Sequence, residues 1–560
     1  MQNLNEIIQN LDGKAVTLYS KLCGRFEKGG IVYHIRSVHG GQYKTAVVNI
    51  EIPCRRLWGN YVCPPHNHIP VCSHIMREFS IVAHIANSEM QQSEDNVQKG
   101  LFLVYNFGTR VLKNSVVSIQ GDTIIISLSV RLPYNNSAYN TGVRADPTLG
   151  IKAQSGSMLA MSQKAQRDSF AKRQKGIISA KALKLLLTKN MPALVERFVS
   201  SFNTDALTKA VQLWENQQYI RAFLKREGYV AFIANGSVLP RLGKTDFKDA
   251  KGAVPFISPP SMALTMPLPC GKELVGMGIP QGITLITGDA YHGKSTILDA
   301  LREGVYDHVL GDGREYVITD STAMGIRSED GRSIKDIDIS FFLKQLPVTS
   351  ISPQAFSTDN ASGSTSQAAA VTEALESGCK LMLFDEDRCA NNFMYKDETM
   401  RDVIPNASTS PFLDNATMFY EQYGISSVLV VGASGAYFKI AHHVILVDNF
   451  KVSEYKNTPT FTGNAHPYRP LPRMVDLSGI GNVCLKRQIE IKDDNTLRFG
   501  NETLHVADII PHVTRGQLDF ICSLIYHLTV FGTKGGTTLS HAVKQLYQKI
   551  NVQNLCDFIK

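Results

Sequence analysis

No run of about 18 uninterrupted apolar residues occurs in this chain, which argues against a membrane-spanning helix. The opening MQNLNEIIQNLDGK carries acids and has no apolar core segment, so it does not read as a secretory leader. Nor is it the Arg-rich, acid-poor stretch of a mitochondrial presequence. Ten cysteines are scattered without the spacing of a disulfide framework, which favours a reducing compartment. Acid is scarce in one place: residues 152–189 hold nine Lys or Arg against a single acid, Asp168. There is no internal repeat.

What is present is enough chain for several domains, since 560 residues exceed what one core holds. Residues 1–240 mix alternating runs (TAVVNIEIP, DTIIISLSVRLP) with helical spacing (MREFSIVAHIANSEMQ) and read as an α+β N-terminal domain. A basic insert at 134–190, rich in Asn, Ser, Gly, Gln and Lys, is expected to order only with a partner. From 241 to 457 apolar strands precede helices, the pattern of an α/β domain with a largely parallel sheet. Residues 458–560 start Pro-rich and read as a small α+β region.

The α/β stretch contains GITLITGDAYHGKSTILDALREGVY: an apolar strand, a Gly-bearing turn and an amphipathic helix. That context makes a GxxxxGK[ST] match a phosphate loop rather than a chance surface loop. Gly288 and Gly293 let the turn close; the N–H groups of Ala290, Tyr291, His292, Gly293, Lys294 and Ser295 then face a phosphate, with Asp289 in the same ATP-binding loop. Lys294 supplies charge to the β- and γ-phosphates of ATP, Ser295 can ligate Mg²⁺, and Thr296 opens the helix.

A second buried run, KLMLF, ends in Asp385 and Glu386. Ligands of open α/β sheets bind at that end of a strand. Asp385 suits Mg²⁺ and Glu386 suits the base that polarises water; the plainer reading has both capping the next turn. Upstream, NASGSTSQAAAVTEALE puts Ser362, Gly363 and Ser364 at a helix N-terminus, an anion site or merely a cap.

These motifs, with GVYDHVLGDGREYVIT, RSEDGRSI, FDEDRCANNFM and YIRAFLKREGYVAFIANGSVLPR, resemble the ABC-class ATPase family, a branch of the ABC superfamily without a transmembrane partner. The likeness covers at least residues 217–450. It implies an α/β P-loop core of the ABC type, ATP with Mg²⁺ as ligands, and a head-to-tail homodimer. In such a pair Ser362, Gly363 and Ser364 act as the signature on the partner's γ-phosphate. Cys389, Ala390, Asn391 and Asn392 fall where ABC proteins carry the loop that meets the partner. The resemblance also implies nucleic-acid binding, RNA rather than DNA, within a ribonucleoprotein such as an RNA-editing complex. Its setting would be the mitochondrion, or otherwise the cytoplasm.

One departure stands out. After SVLVV, where ABC proteins place a switch histidine, the turn reads GASGAYF; His442 and His443 come too late, and Ser434 is a weaker substitute. Phe256 is a candidate to stack on adenine, or else core. Arg314, Glu315 and Arg327 either complete the site or hold the subdomain together. Cys63, His66, His68, Cys72 and His74 fit no closed zinc pattern, and a polar turn is the favoured reading. Lys164, Arg167, Lys172, Arg173 and Lys175, with Phe170 among them, are the nucleic-acid candidates, set against a solvated linker. The leading expectation is an ATPase coupled to RNA binding or remodelling. Its rival is an ATP-dependent scaffold in which the nucleotide is structural.

Overall fold

The computed structural model describes residues 2–40, 44–59, 63–91, 100–104, 108–114, 116–135, 176–242, 252–344, 352–405, 407–460, 468–474, 489–493, 496–499, 502–505, 515–531 and 537–552. Two compact units result: Met1–Phe107 with Leu112–Val211, and Gly108–Val111 with Gln212–Lys560. The candidate nucleic-acid residues Lys164, Arg167, Lys172, Arg173 and Lys175 lie outside the described residues.

In the first unit an antiparallel sheet runs in the order β1 (Gly24–Lys28), β2 (Ile31–Gly40), β3 (Lys44–Pro53), then β6 (Thr123–Arg131) and β4 (Leu101–Leu103). β5 (Val117–Gln120) also pairs with β6. Period-two alternation buries Ala46, Val48, Ile50 and Ile52 of β3 beside Ile124, Ile126, Leu128 and Val130 of β6. Helices α1 (His68–Gln91) and α2 (Met191–Ser201) join that core, with the Phe79 and Phe198 rings edge to face at 5.3 Å. His74 is held neutral here: burial, then Arg77, brings its pKa down to about 4. Cys72 is core, and no group of three His, Cys, Asp or Glu among the described residues is arranged to hold a metal.

The second unit begins within α3 (Thr204–Glu227), ahead of residue 240, because β7 (Tyr229–Ala234) belongs to its sheet. β8 (Ala263–Pro267), β9 (Glu273–Pro280), β7 and β11 (Val317–Thr319) form a four-stranded antiparallel layer. The expectation of a largely parallel sheet from 241 onward fails for this layer. Leu268 N–H donates to Lys272 O across a turn with Gly271 at φ +79°, closing β8 and β9 into a hairpin.

The parallel sheet follows. Its order is β12 (Met324–Ile326), β13 (Leu381–Asp385), β14 (Ser426–Val430), β10 (Ile283–Thr287), β15 (His443–Asp448), with β16 (Lys451–Glu454) antiparallel at the edge. Both faces are buried, as parallel sheets require. Leu381 and Leu383 meet α4 (Lys294–Glu303) through Ile297, Leu298 and Leu301. Met382 and Phe384 meet α5 (Gly363–Glu376) and α6 (Phe412–Tyr423).

Four residues, Gly108–Val111, belong to this unit although the chain on either side does not. Arg110 and Val111 pair with His308 and Asp307. Arg110 is 4% exposed; its guanidinium lies 2.7 Å from Glu303 at the end of α4 and 4.7 Å from the Tyr306 ring centre. Removing one partner of a buried pair leaves the other charge uncompensated. Arg110→Met should therefore lower the stability of this unit by about 3 kcal/mol. A urea titration followed by probes in this unit would show it as a lower midpoint.

Candidate functional site

Three adjacent parallel strands carry the site. Ile286 of β10 pairs with Val430 of β14, and Val430 with Asp385 of β13, so all three chains leave the sheet side by side. From β10 the chain enters Gly288–Gly293. A Cβ on Gly288 (φ +146°) would stand 2.1 Å from the Val447 carbonyl oxygen, so only glycine fits. Gly293, at φ +103°, is the residue before α4, and a Cβ built on it would stand 3.1 Å from the Phe450 ring. Tyr291 adopts φ +64°, an outlier for a bulky side chain, and is 97% exposed at the loop tip. Asp289 Oδ1 accepts from Ala290 N–H at 2.8 Å, within the turn.

The loop is clamped from the far side by the β15–β16 turn. Asn449 and Phe450 both have positive φ, the signature of a type I′ hairpin. His292 Nδ1 lies 3.1 Å from Asp448 Oδ1 and 3.3 Å from Asn449 N. Sequence reasoning missed this clamp; Asp448-Asn449 after an apolar run was the available signal.

Lys294 Nζ donates to Gly288 O (2.8 Å) and Asp289 O (2.7 Å), holding its charge over the loop. Ser295 and Thr296 follow in the first turn of α4, where the helix dipole favours an anion. Asp385 is 7% exposed, and its Oδ1 is buried with no hydrogen-bond partner among the described residues. Burial raises its pKa, while Arg388, with Nε 3.7 Å from Oδ2, pulls the other way. An orphaned carboxylate oxygen at the strand end, with a serine hydroxyl at the head of α4, fits a hard divalent cation. Glu386 Oε2 accepts from Gly432 N–H (2.7 Å) and Ala433 N–H (3.2 Å) in the turn after β14.

Of the undecided residues, Arg327 follows Ile326, which pairs with Phe384, so it leaves β12 beside Asp385. Ser328 N–H donates to Arg388 O (3.0 Å) and fixes that edge. Arg302 of α4 packs its guanidinium against Gly325, and burial lowers its pKa, with Arg388 and Arg327 adding to the effect. Arg314 instead donates to Leu239 O, and Glu315 Oε1 accepts from Gly311 N–H, so both hold the subdomain together. Phe256 is 4% exposed and packs in the core rather than waiting for a base.

Ser362, Gly363 and Ser364 stand apart from this group. Ser362 Oγ accepts from Thr365 N–H (3.4 Å) as the cap of α5, and Gly363 faces Asp330, Ser328 and Ala390. The cap is tied to the loop after Glu386: Ala390 N–H donates to Gln367 Oε1 (2.8 Å), and Asn392 Nδ2 to Ser364 Oγ (3.3 Å). His442 is engaged elsewhere. Its Nδ1 accepts from Ile283 N–H (3.0 Å) at the start of β10, the opposite end of the strand from the phosphate loop. Ser434 Oγ caps its own turn by accepting from Ala436 N–H at 3.2 Å.

Two family models match the chain. The P-loop domain of the ABC ATPases spans residues 203–470, and the N-terminal domain of ATPases of the ABC class spans 1–145. The chain belongs to the ABC-class ATPases. An uncharacterized protein of Methanocaldococcus jannaschii is 34% identical over 212 residues, which are 36% of this chain and 46% of that protein. The chain thus spans about half the length of this curated relative. A solved structure titled as a metal-chelate type ABC transporter, inward-facing, is 15% identical. It covers 40% of this chain and 83% of its own, at a TM-score of 0.24. Among the described residues no helix is long and apolar enough to cross a membrane. The mitochondrial and RNA-editing setting expected from the resemblance has no counterpart in these likenesses.

Gly288→Ala should cost about 2–3 kcal/mol, because a backbone oxygen must move to admit the methyl. It should also abolish binding of a fluorescent ATP analogue. Gly378→Ala, at φ +83° with nothing near its Cβ, should cost only about 1 kcal/mol and leave binding intact.

Proposed function

We propose that this chain hydrolyses ATP between two copies of itself and couples that cycle to RNA. The observation that carries this reading is the convergence of Lys294, Asp385 and Glu386 at the ends of β10 and β13, with one strand between them. Lys294 binds the β- and γ-phosphates. Ser295 and Asp385 would hold Mg²⁺, which neutralises phosphate charge when bound. Glu386 accepts a proton from water as the water oxygen attacks the γ-phosphorus. The bond to the β-phosphate oxygen breaks, and ADP and phosphate leave. The Asp289–Ser295 amides and the head of α4 stabilise the charge that develops.

The α5 cap is the surface for the partner's γ-phosphate. Its bonds through Gln367 and Asn392 to the 389–392 loop join it to the base of its own chain. Each of two sandwiched nucleotides would then see the lysine of one copy and the serine cap of the other. RNA linkage follows from the same closure: if paired and unpaired states differ in RNA affinity, ATP and RNA shift each other's binding equally. The basic segment around Lys164, Arg167, Lys172, Arg173 and Lys175 is the candidate surface, and DNA is the lesser candidate. One observation favours the structural-nucleotide scaffold instead: Glu386 is bonded to the turn after β14 rather than standing open to water.

Glu386→Gln should stop steady-state phosphate release while still binding ATP, and should shift light scattering from one copy to two when ATP is added. Undiminished phosphate release would rule out the base; release at background level in the wild type would leave only the scaffold. A polyuridine strand should bind the full chain and lose affinity about a hundredfold between about 0.05 and 0.2 M salt, as five phosphate contacts require. No binding at the lower salt removes RNA from the reading.

A further inference from the structure

The turn after β14 sits where an imidazole was expected, and it presents backbone instead. Val431 N–H donates to Ile286 O at 3.0 Å, where the β10–β14 ladder ends below the phosphate loop. The next two N–H groups, of Gly432 and Ala433, both aim at Glu386 Oε2, at 2.7 and 3.2 Å. A Cβ built on Gly432 would stand 3.6 Å from Lys294 Nζ. Two backbone donors, one ammonium and one carboxylate therefore share a small volume at the end of β10. Successive N–H groups aimed at a single oxygen make an anion site. Here the oxygen is the chain's own.

We propose that the N–H groups of Gly432 and Ala433 are the γ-phosphate donors of this enzyme, and that Glu386 covers them until a triphosphate arrives. The inference rests on the ATPase reading above and adds to it how the γ-phosphate is told from its absence. A γ-phosphate oxygen beside Lys294 competes for the same two donors. Two anions cannot share them, because each repels the other at short range. Glu386 is displaced from the amides, and the displaced carboxylate is free to take a proton from water. ADP has no group that reaches the amides, so Glu386 keeps them. Recognition of the third phosphate and release of the base are one exchange of acceptors.

The test measures equilibrium binding of the non-hydrolysable triphosphate AMP-PNP and of ADP, each with Mg²⁺, to the full chain. Replacing Ala433 by lactic acid through nonsense suppression turns its N–H into an ester oxygen and keeps the methyl. AMP-PNP should bind about tenfold more weakly, the worth of one charge-assisted hydrogen bond, with ADP changed by less than about twofold. Glu386→Gln should tighten AMP-PNP relative to ADP, and that gain should shrink in the ester background, because competitor and donor act through one bond. Equal losses for both nucleotides overturn the inference, as does a Glu386→Gln gain untouched by the ester. If the ester chain does not accumulate, Glu386→Gln alone decides: a triphosphate-to-diphosphate preference equal to the wild type's overturns it. A wild-type chain that takes neither nucleotide overturns the ATPase reading itself.

Discussion

The register between β10, β14 and β13 is the constraint on which the site depends. Pairing of Ile286 with Val430 and of Val430 with Asp385 makes three loops emerge within one strand spacing of each other. Slippage by one residue in β13 would turn Asp385 toward the wrong face and carry Phe384 out of the core with it. The register is held by burial on both sides. Leu381 and Leu383 fit under α4, while Met382 and Phe384 fit under α5 and α6, so neither face tolerates the other's residues. Hydrophobic packing thus fixes the placement of charges that it never touches.

The charges themselves are unevenly compensated. Arg302, near Arg327 and Arg388, is paired with Asp299 at 3.3 Å, but Asp385 has one distant arginine contact and an oxygen with no hydrogen-bond partner among the described residues. Buried groups left in this condition cost folding free energy, and proteins keep them where a ligand completes them. The same holds for Tyr291, whose φ suits glycine better than a ring.

Much of this was legible in the sequence because it is local. Strand, glycine turn and helix around Lys294 follow from residues a few positions apart, and Asp385 and Glu386 end a run that could only be buried. Helix 363–376 declares its cap in Ser362. The rest depends on partners far along the chain. That His442 closes the start of β10 is invisible without knowing that β15 lies beside it. The antiparallel layer of β7, β8 and β9 uses apolar strands that look, residue by residue, like parallel ones. The turn GASGAYF advertised a missing imidazole but said nothing of its amides, since every residue has an N–H and only geometry gives it an address. The hairpin clamp at Asn449 and Phe450 had only Asp448-Asn449 after an apolar run to announce it, since neither turn residue is glycine. The basic segment, strong as composition, has no described structure to set beside it.

The detour at Gly108–Val111 bears on how this protein can be taken apart. Because those four residues complete the second unit from within the stretch that forms the first, no single cut yields both units whole. A fragment starting at Gln212 would keep Glu303 and its half of the short ladder but lose the guanidinium that neutralises it.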